Sequence, residues 1–176
     1  SPYKSPTDMG VNMAGFCITD DEACIRASHK EIIRRFFQAK CSLRKGTAEP
    51  SEVAKLELLM NKMGIVETDR SSVVAARERA NKTGAPAVAI ELSDGTVVTG
   101  KTTPLLGASA ALLLNALKVL AGIQHDILLI SPIVIEPIQD LKINHMGNHN
   151  PRLHTDEVLI ALAICAATNP MAARAM

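Results

Sequence analysis

The sequence predicts a mixed α/β protein: a small all-helical subdomain over residues 18–85, then a three-layer αβα subdomain over residues 86–176. Three observations predict it. Apolar residues recur at helical spacing through the first half. At Pro86 the period switches to strand-like alternation, followed by the two-residue hairpin signal Asp94-Gly95. Charge also thins out: residues 1–85 hold 14 Lys+Arg and 11 Asp+Glu, whereas residues 86–176 hold 5 and 7. Residues 1–17 form an extended lead-in, punctuated by Pro2, Pro6, Gly10 and Gly15.

Thr19-Asp20-Asp21-Glu22 reads as a capping box that opens the first helix, with Thr19 as the cap and Glu22 reaching back to it. Ile25, Ile32, Ile33, Phe36 and Phe37 supply its apolar face, and Gly46 ends it. A second helix starts at Glu49-Pro50, turns Val53, Leu56, Leu59, Met60 and Met63 inward, and stops at Gly64. A third runs from about Asp69 to Lys82, with Val73, Val74 and Ala80 inward. Three such helices with short loops make a compact helical subdomain.

Beyond Pro86, Val88, Ile90 and Leu92 lie on one face of a strand, and Thr96–Thr99 returns beside it. Thr103-Pro104 is expected to cap a long apolar helix that runs to Ala121 and ends at Gly122. Residues 126–130, Asp-Ile-Leu-Leu-Ile, read as a buried strand parallel to its predecessor. Another helix opens at Ser131-Pro132 or at Glu136-Pro137 and ends near His145. Thr155 is expected to cap a helix from Asp156 to about Thr168, with a last helical stub after Asn169-Pro170. Hairpin, helix, strand, helix is the opening order of the cytidine-deaminase-like fold, so that topology is the expected one. Fold alone assigns no activity.

Composition narrows the partners. Hydrophobic residues make up 47% of the 176, enough for a packed core, but aromatics are only 2% and Trp is absent. The core must be aliphatic, and ring-stacking platforms for single-stranded nucleic acid or sugars are excluded. A net charge of +1 supplies no field toward nucleic acid or an acidic membrane, so neither is an expected partner. The longest apolar run, Leu105–Leu120, is interrupted by Ser109, Asn115 and Lys118 and is shorter than the ~20 residues of a membrane span. Cys17, Cys24, Cys41 and Cys165 form no CxxC pair, and three of them sit among helical residues as small apolar groups. The expected compartment is the reducing cytoplasm, and the opening Ser1-Pro2-Tyr3 carries no secretory pattern.

Two segments carry a specific resemblance. One is residues 1–15, Ser-Pro-Tyr-Lys-Ser-Pro-Thr-Asp-Met-Gly-Val-Asn-Met-Ala-Gly. The other is residues 150–170, which begins Asn-Pro-Arg-Leu-His-Thr-Asp-Glu and ends Ala-Thr-Asn-Pro. With them the chain resembles, over essentially its whole length, the C-terminal part of the bacterial uncharacterised family "domain of unknown function 1846". The resemblance implies a parent about three times longer, with a Gly-rich, phosphate-loop-like region upstream and a further strand downstream. It implies a helical insert followed by a deaminase-like subdomain, and it implies no activity. The chain is accordingly expected to be a fragment of a larger cytoplasmic protein, with the upstream domain as one partner.

Zinc-dependent deamination needs a His or Cys with a Glu at one helix start and a Pro-Cys-x-x-Cys at the next. The matching positions read Thr103-Pro104-Leu105-Leu106-Gly107-Ala108 and Ser131-Pro132-Ile133-Val134, with no ligand and no general acid. Zinc is therefore not expected, and no other cofactor is indicated.

The densest polar cluster is Asn144–Glu157. Asn148, Asn150, Arg152, His154, Thr155 and Asp156 are its candidate ligand-binding residues. On one reading they form an anion or nucleotide pocket: N–H groups after Thr155 face the ligand, and Arg152 clamps a phosphate or carboxylate. His154 could serve as acid or base there, because imidazoles change charge near neutral pH. On the plainer reading they form a solvated loop and an ordinary cap, with Asp156 and Glu157 answering the helix dipole. A metal site at His145, His149 and His154 is a weaker option, because Gly147 interrupts their spacing.

Lys4, Ser5, Thr7, Asp8 and Asn12 are the second candidate group. They either complete a phosphate or sugar site with an upstream domain or close the turns of a linker. Arg34, Arg35, Lys40, Arg44 and Lys45 read as a solvated helix face. Two functions from different classes stay open. The chain contributes to the cleft of an enzyme acting on a nucleotide or phosphorylated small molecule, or it is a non-catalytic structural and homo-oligomerisation module.

Overall fold

The computed structural model describes residues 19–176. They fall into two compact units that divide between Arg70 and Ser71.

The described part of the first unit holds helix α1 (Asp21–Arg44), helix α2 (Pro50–Met63) and a 3-10 turn at Glu67–Asp69. Asp20, not Thr19, caps α1: its carboxylate accepts from the Ala23 N–H at 2.8 Å, so the helix starts one residue later than the Thr19 box required. Ile33, Phe36 and Ala39 bury the inner face of α1 against α2, which contributes Val53 and Met60. Gly64 closes α2 with φ 66°, a left-handed geometry that favours glycine. The Arg34–Arg35 face is solvated as expected, with Glu31 accepting from both guanidinium groups. Those hydrogen bonds bring the Glu31 carboxyl down to about 2.

The second unit contains α3 (Ser71–Thr83), β1 (Ala87–Glu91), β2 (Val97–Lys101), α4 (Ala108–Leu120), α5 (Pro132–Asp140), α6 (Thr155–Ala166) and α7 (Pro170–Ala175). Helix α3, expected with the helical subdomain, packs on both strands of the hairpin. Ser71 Oγ donates to the Glu91 carboxylate and ties its start to β1. The hairpin is antiparallel, with Ala87 opposite Lys101 and Glu91 opposite Val97. Its turn is one residue longer than the expected two-residue turn: the Leu92 N–H donates to the Thr96 carbonyl, so Ser93, Asp94 and Gly95 form a three-residue loop, with Asp94 accepting from the Thr96 N–H at 2.9 Å and Gly95 at φ 85°. Ile90, expected inward, stays 43% exposed.

Helix α4 crosses β2 at Gly100. A Cβ there would lie 2.2 Å from the Leu112 nitrogen and 2.6 Å from the Ala108 carbonyl oxygen, so only glycine admits the helix backbone. Asn115 Nδ2 adds a 2.9 Å bond to the Thr99 carbonyl.

The architecture is therefore mixed, mostly helical with one small two-stranded antiparallel sheet. The expected third strand does not form. Residues 125–127 make a turn, and the Leu128 and Leu129 carbonyls accept from the Asn169 side chain instead of a neighbouring strand. Leu129 and Ile130 are buried at 2% and 5% exposure, but Leu128 is 65% exposed, so the expected burial holds for only the last two residues of the segment. A strand also needs a ladder partner, and here the carbonyls find a side chain. Helix α4 likewise begins at Ala108, not after Thr103. Leu105 and Gly107 are engaged by Leu153, which donates its N–H to the Leu105 carbonyl and accepts from the Gly107 N–H. Thr103 Oγ1 closes a local turn by accepting from the Leu106 N–H.

The core of this unit is aliphatic, built around Leu129, Ile135, Leu153, Val158, Ala161 and Leu162. Of the described cysteines, Cys165 is buried, Cys24 is half-buried and Cys41 is exposed, so only Cys165 serves as a core group. No helix among the described residues is long and apolar enough to cross a membrane.

A Gly100→Ala substitution is expected to destabilise the second unit by about 3 kcal/mol or more, because the helix backbone cannot yield as a side chain would. Urea unfolding followed by circular dichroism measures it, and a change within error of zero contradicts the close crossing.

Candidate functional site

Helix α5 opens at Pro132 and carries Pro137 inside it, then widens into a π-helical turn at Leu141–His145. The Met146 N–H reaches the Leu141 carbonyl at 3.0 Å, five residues back. Lys142, between Leu141 and Ile143, lies in this turn and continues the inner face that Ile135 and Ile138 begin. Its side chain is only 3% exposed.

Lys142 organises the polar loop. Its ammonium donates to the Arg152 carbonyl at 2.8 Å and to Glu157 Oε2 at 2.8 Å. The same Glu157 oxygen accepts from the His154 N–H at 2.8 Å, which makes His154 the residue preceding α6 and Thr155 its first residue. The expected Thr155 cap is thus corrected: the Thr155 hydroxyl donates to Asp156 Oδ1 at 3.0 Å. Two Asx turns precede it, with Asn148 Oδ1 accepting from the Asn150 N–H and Asn150 Oδ1 accepting from the Arg152 N–H. A parallel bridge between Leu106 and Leu153 fastens the loop to the segment before α4. Gln139 reinforces that segment by donating to the Pro104 carbonyl.

The predicted cluster therefore comes together as one braced loop, but its members play unequal parts. Asn148, Asn150, Thr155 and Asp156 make local bonds. Arg152 is exposed, its Nε donates to the Thr103 carbonyl at 2.9 Å, and its two Nη groups have no partner among the described residues. His154 is also exposed, two residues along, with the buried Leu153 between them. His145 lies 3.9 Å from Asp140, which also accepts from Asn144 Nδ2 at 2.6 Å. Among the described residues no three His, Cys, Asp or Glu side chains group to hold a metal. Lys4, Ser5, Thr7, Asp8 and Asn12 lie outside the described residues.

Lys142 was not singled out in the sequence, and Glu157 was read only as a partner of the helix dipole. The available signal was a lone Lys in the apolar run Leu141-Lys142-Ile143, with a Glu at the third position of the next helix.

Burial works to raise the pKa of Glu157, but hydrogen bonds from Lys142 and from the His154 N–H outweigh it. They hold the carboxyl below its ordinary value.

These features define a helix-rich mixed α/β protein whose second unit carries a pre-formed polar loop on a buried ion pair. The family model described as "Domain of unknown function DUF1846, C-terminal" matches residues 68–176, and "Domain of unknown function DUF1846, N-terminal" matches residues 1–64. The chain belongs to this family. The gap between the two matches falls beside the division of the structure at Arg70.

Relatives agree. The "UPF0371 protein stu1377" of Streptococcus thermophilus is 57% identical over 176 residues, all of this chain and 36% of its own length. A "UPF0371 protein" of Streptococcus pneumoniae strain CGSP14 is 55% identical over the same coverage. One from Corynebacterium aurimucosum is 55% identical over 175 residues, 99% of this chain and 35% of the relative. The chain thus spans about a third of the length of these relatives, which carry names of uncharacterised proteins.

Glu157→Ala is expected to cost roughly 3–5 kcal/mol, because it leaves the Lys142 ammonium buried without its counter-charge. Replacing both, as Lys142→Met with Glu157→Leu, is expected to recover much of that loss in the same urea titration. A single variant as stable as the parent contradicts the pairing.

The pair also predicts acid sensitivity. The folded-state pKa of Glu157 lies below its unfolded value, so the stabilisation is complete above the ordinary carboxylate range. It is lost as pH falls through the lowered folded value. Stability measured below about pH 4.5 should therefore fall less steeply in Glu157→Gln than in the parent.

Proposed function

We propose that this chain lends a pre-formed loop to an anion-binding site whose other groups belong to the rest of the larger protein. The supporting observation is Arg152: its Nε is anchored on the Thr103 carbonyl, and its two Nη groups have no partner among the described residues. A guanidinium fork held this way suits a phosphate or carboxylate, because two parallel N–H donors match two oxygens. The buried Lys142–Glu157 pair and the two Asx turns support the loop from beneath, and a binding group gains when its supporting shell is rigid.

The start of α6 is a poor seat for the anion. Asp156 and Glu157 already occupy its first turn, and a second negative charge would meet theirs. The ligand would approach on the Arg152 side, with His154 placed to exchange a proton. A nucleotide or phosphorylated small molecule is the ligand class. The element order of the second unit, hairpin, helix, apolar segment, helix, supports a cytidine-deaminase-like plan. In that plan residues 126–130 take the chain position of the next strand without pairing as one.

Thermal-shift screening of the full-length protein with nucleotides and sugar phosphates tests this reading. A bound ligand at 100 times its Kd should add about 2.7 kcal/mol of apparent stability. Arg152→Ala is expected to abolish that shift while leaving the unliganded melting temperature nearly unchanged. His154→Ala is expected to keep the binding and lower any turnover. A ligand shift that survives Arg152→Ala sinks the proposal.

A further inference from the structure

Helix α6 is apolar on both faces. Its inner face, Val158, Ala161, Leu162 and Cys165, is buried in the core of the second unit. Its outer face carries Leu159, Ile160 and Ile164, which are 43%, 61% and 59% exposed, with Ala163 between them. From Val158 to Ala166 the helix has no charged residue. A helix at a protein–water boundary shows one apolar stripe opposite a polar one, and a helix apolar all round belongs inside a larger body. Its 12 residues are too few for a bilayer, which needs ~20.

We infer that the Leu159–Ile160–Ile164 face docks against the part of the full-length polypeptide that lies outside these 176 residues. The relatives supply the occupant. This chain covers 36% of their length, so almost two thirds of each polypeptide is available to cover the face. That remainder is tethered to the second unit, and tethering gives an effective concentration of order millimolar. A free second copy competes at its own, lower concentration. The covering surface must itself be uncharged and aliphatic, because three branched side chains offer it no hydrogen bond. This inference is independent of the anion-binding proposal: it concerns the outer face of α6 and needs neither Arg152 nor a ligand.

Cysteine accessibility in the full-length protein tests it. Ile160→Cys and, separately, Ile164→Cys are labelled with a maleimide, and modification at each site is read by peptide mass spectrometry. Labelling is expected to be about 100-fold slower in the folded protein than in urea, reflecting rare local opening. The protection should be the same at low and high protein concentration. Labelling nearly as fast in the folded protein as in urea overturns the inference, because the face is then open. Protection that appears only at concentrations where light scattering detects a dimer also overturns it, because the occupant is then a second copy. Hydroxyl-radical footprinting of Leu159, Ile160 and Ile164 in the unaltered full-length protein gives the same reading without a substitution. Low modification independent of concentration supports docking, and modification at the unfolded level overturns it.

Discussion

The Lys142 ammonium is the interaction on which the polar end of the second unit depends. An ammonium with 3% side-chain exposure is costly to bury unless partners satisfy it. Its partners are the Arg152 carbonyl and the Glu157 carboxylate, ten and fifteen residues away in sequence. Each partner belongs to a different local structure, one to the loop and one to the first turn of α6. One buried charge therefore fixes the helix start, the loop path and the direction in which Arg152 leaves the backbone.

The other end of the unit rests on close backbone approach. Gly100 lets α4 lie directly on β2, and α3 covers both strands of the same hairpin. The hairpin is too small to stand alone, since two strands are marginal in water without a helix against them. The chain's division at Arg70 follows: α3 must count with the sheet it covers, and the family matches change over within a few residues of that point.

Much of the helical architecture was legible in the residues. Gly46, Gly64 and Gly122 all take positive φ where the helices were expected to end, because those turns favour a residue without a Cβ. The Asp94-Gly95 hairpin was legible for the same reason. The site was legible as a composition and not as a mechanism of support. Asn148, Asn150, Arg152 and His154 stand out as a polar run, whereas Lys142 looks like any surface lysine until the fold encloses it. Thr19 and Thr155 were misread for a shared reason: each has an acidic neighbour that alters the competition for the first free N–H groups. Asp20 takes the first helix, and Glu157 takes the N–H of His154.

By itself, the sequence determined where several helices end, the place of the hairpin, the aliphatic character of the core and membership in an uncharacterised bacterial family. These are local or compositional properties, decided by period, glycine and side-chain chemistry within a few residues. Only the tertiary structure decided that Leu129 and Ile130 bury without forming a ladder, that α3 belongs with the hairpin, and that Lys142 is an interior charge. Each depends on what lies opposite a residue in space: the Asn169 amide, the two strands, the Glu157 carboxylate. Partners brought together across ten to forty residues leave no periodic trace in the chain that joins them.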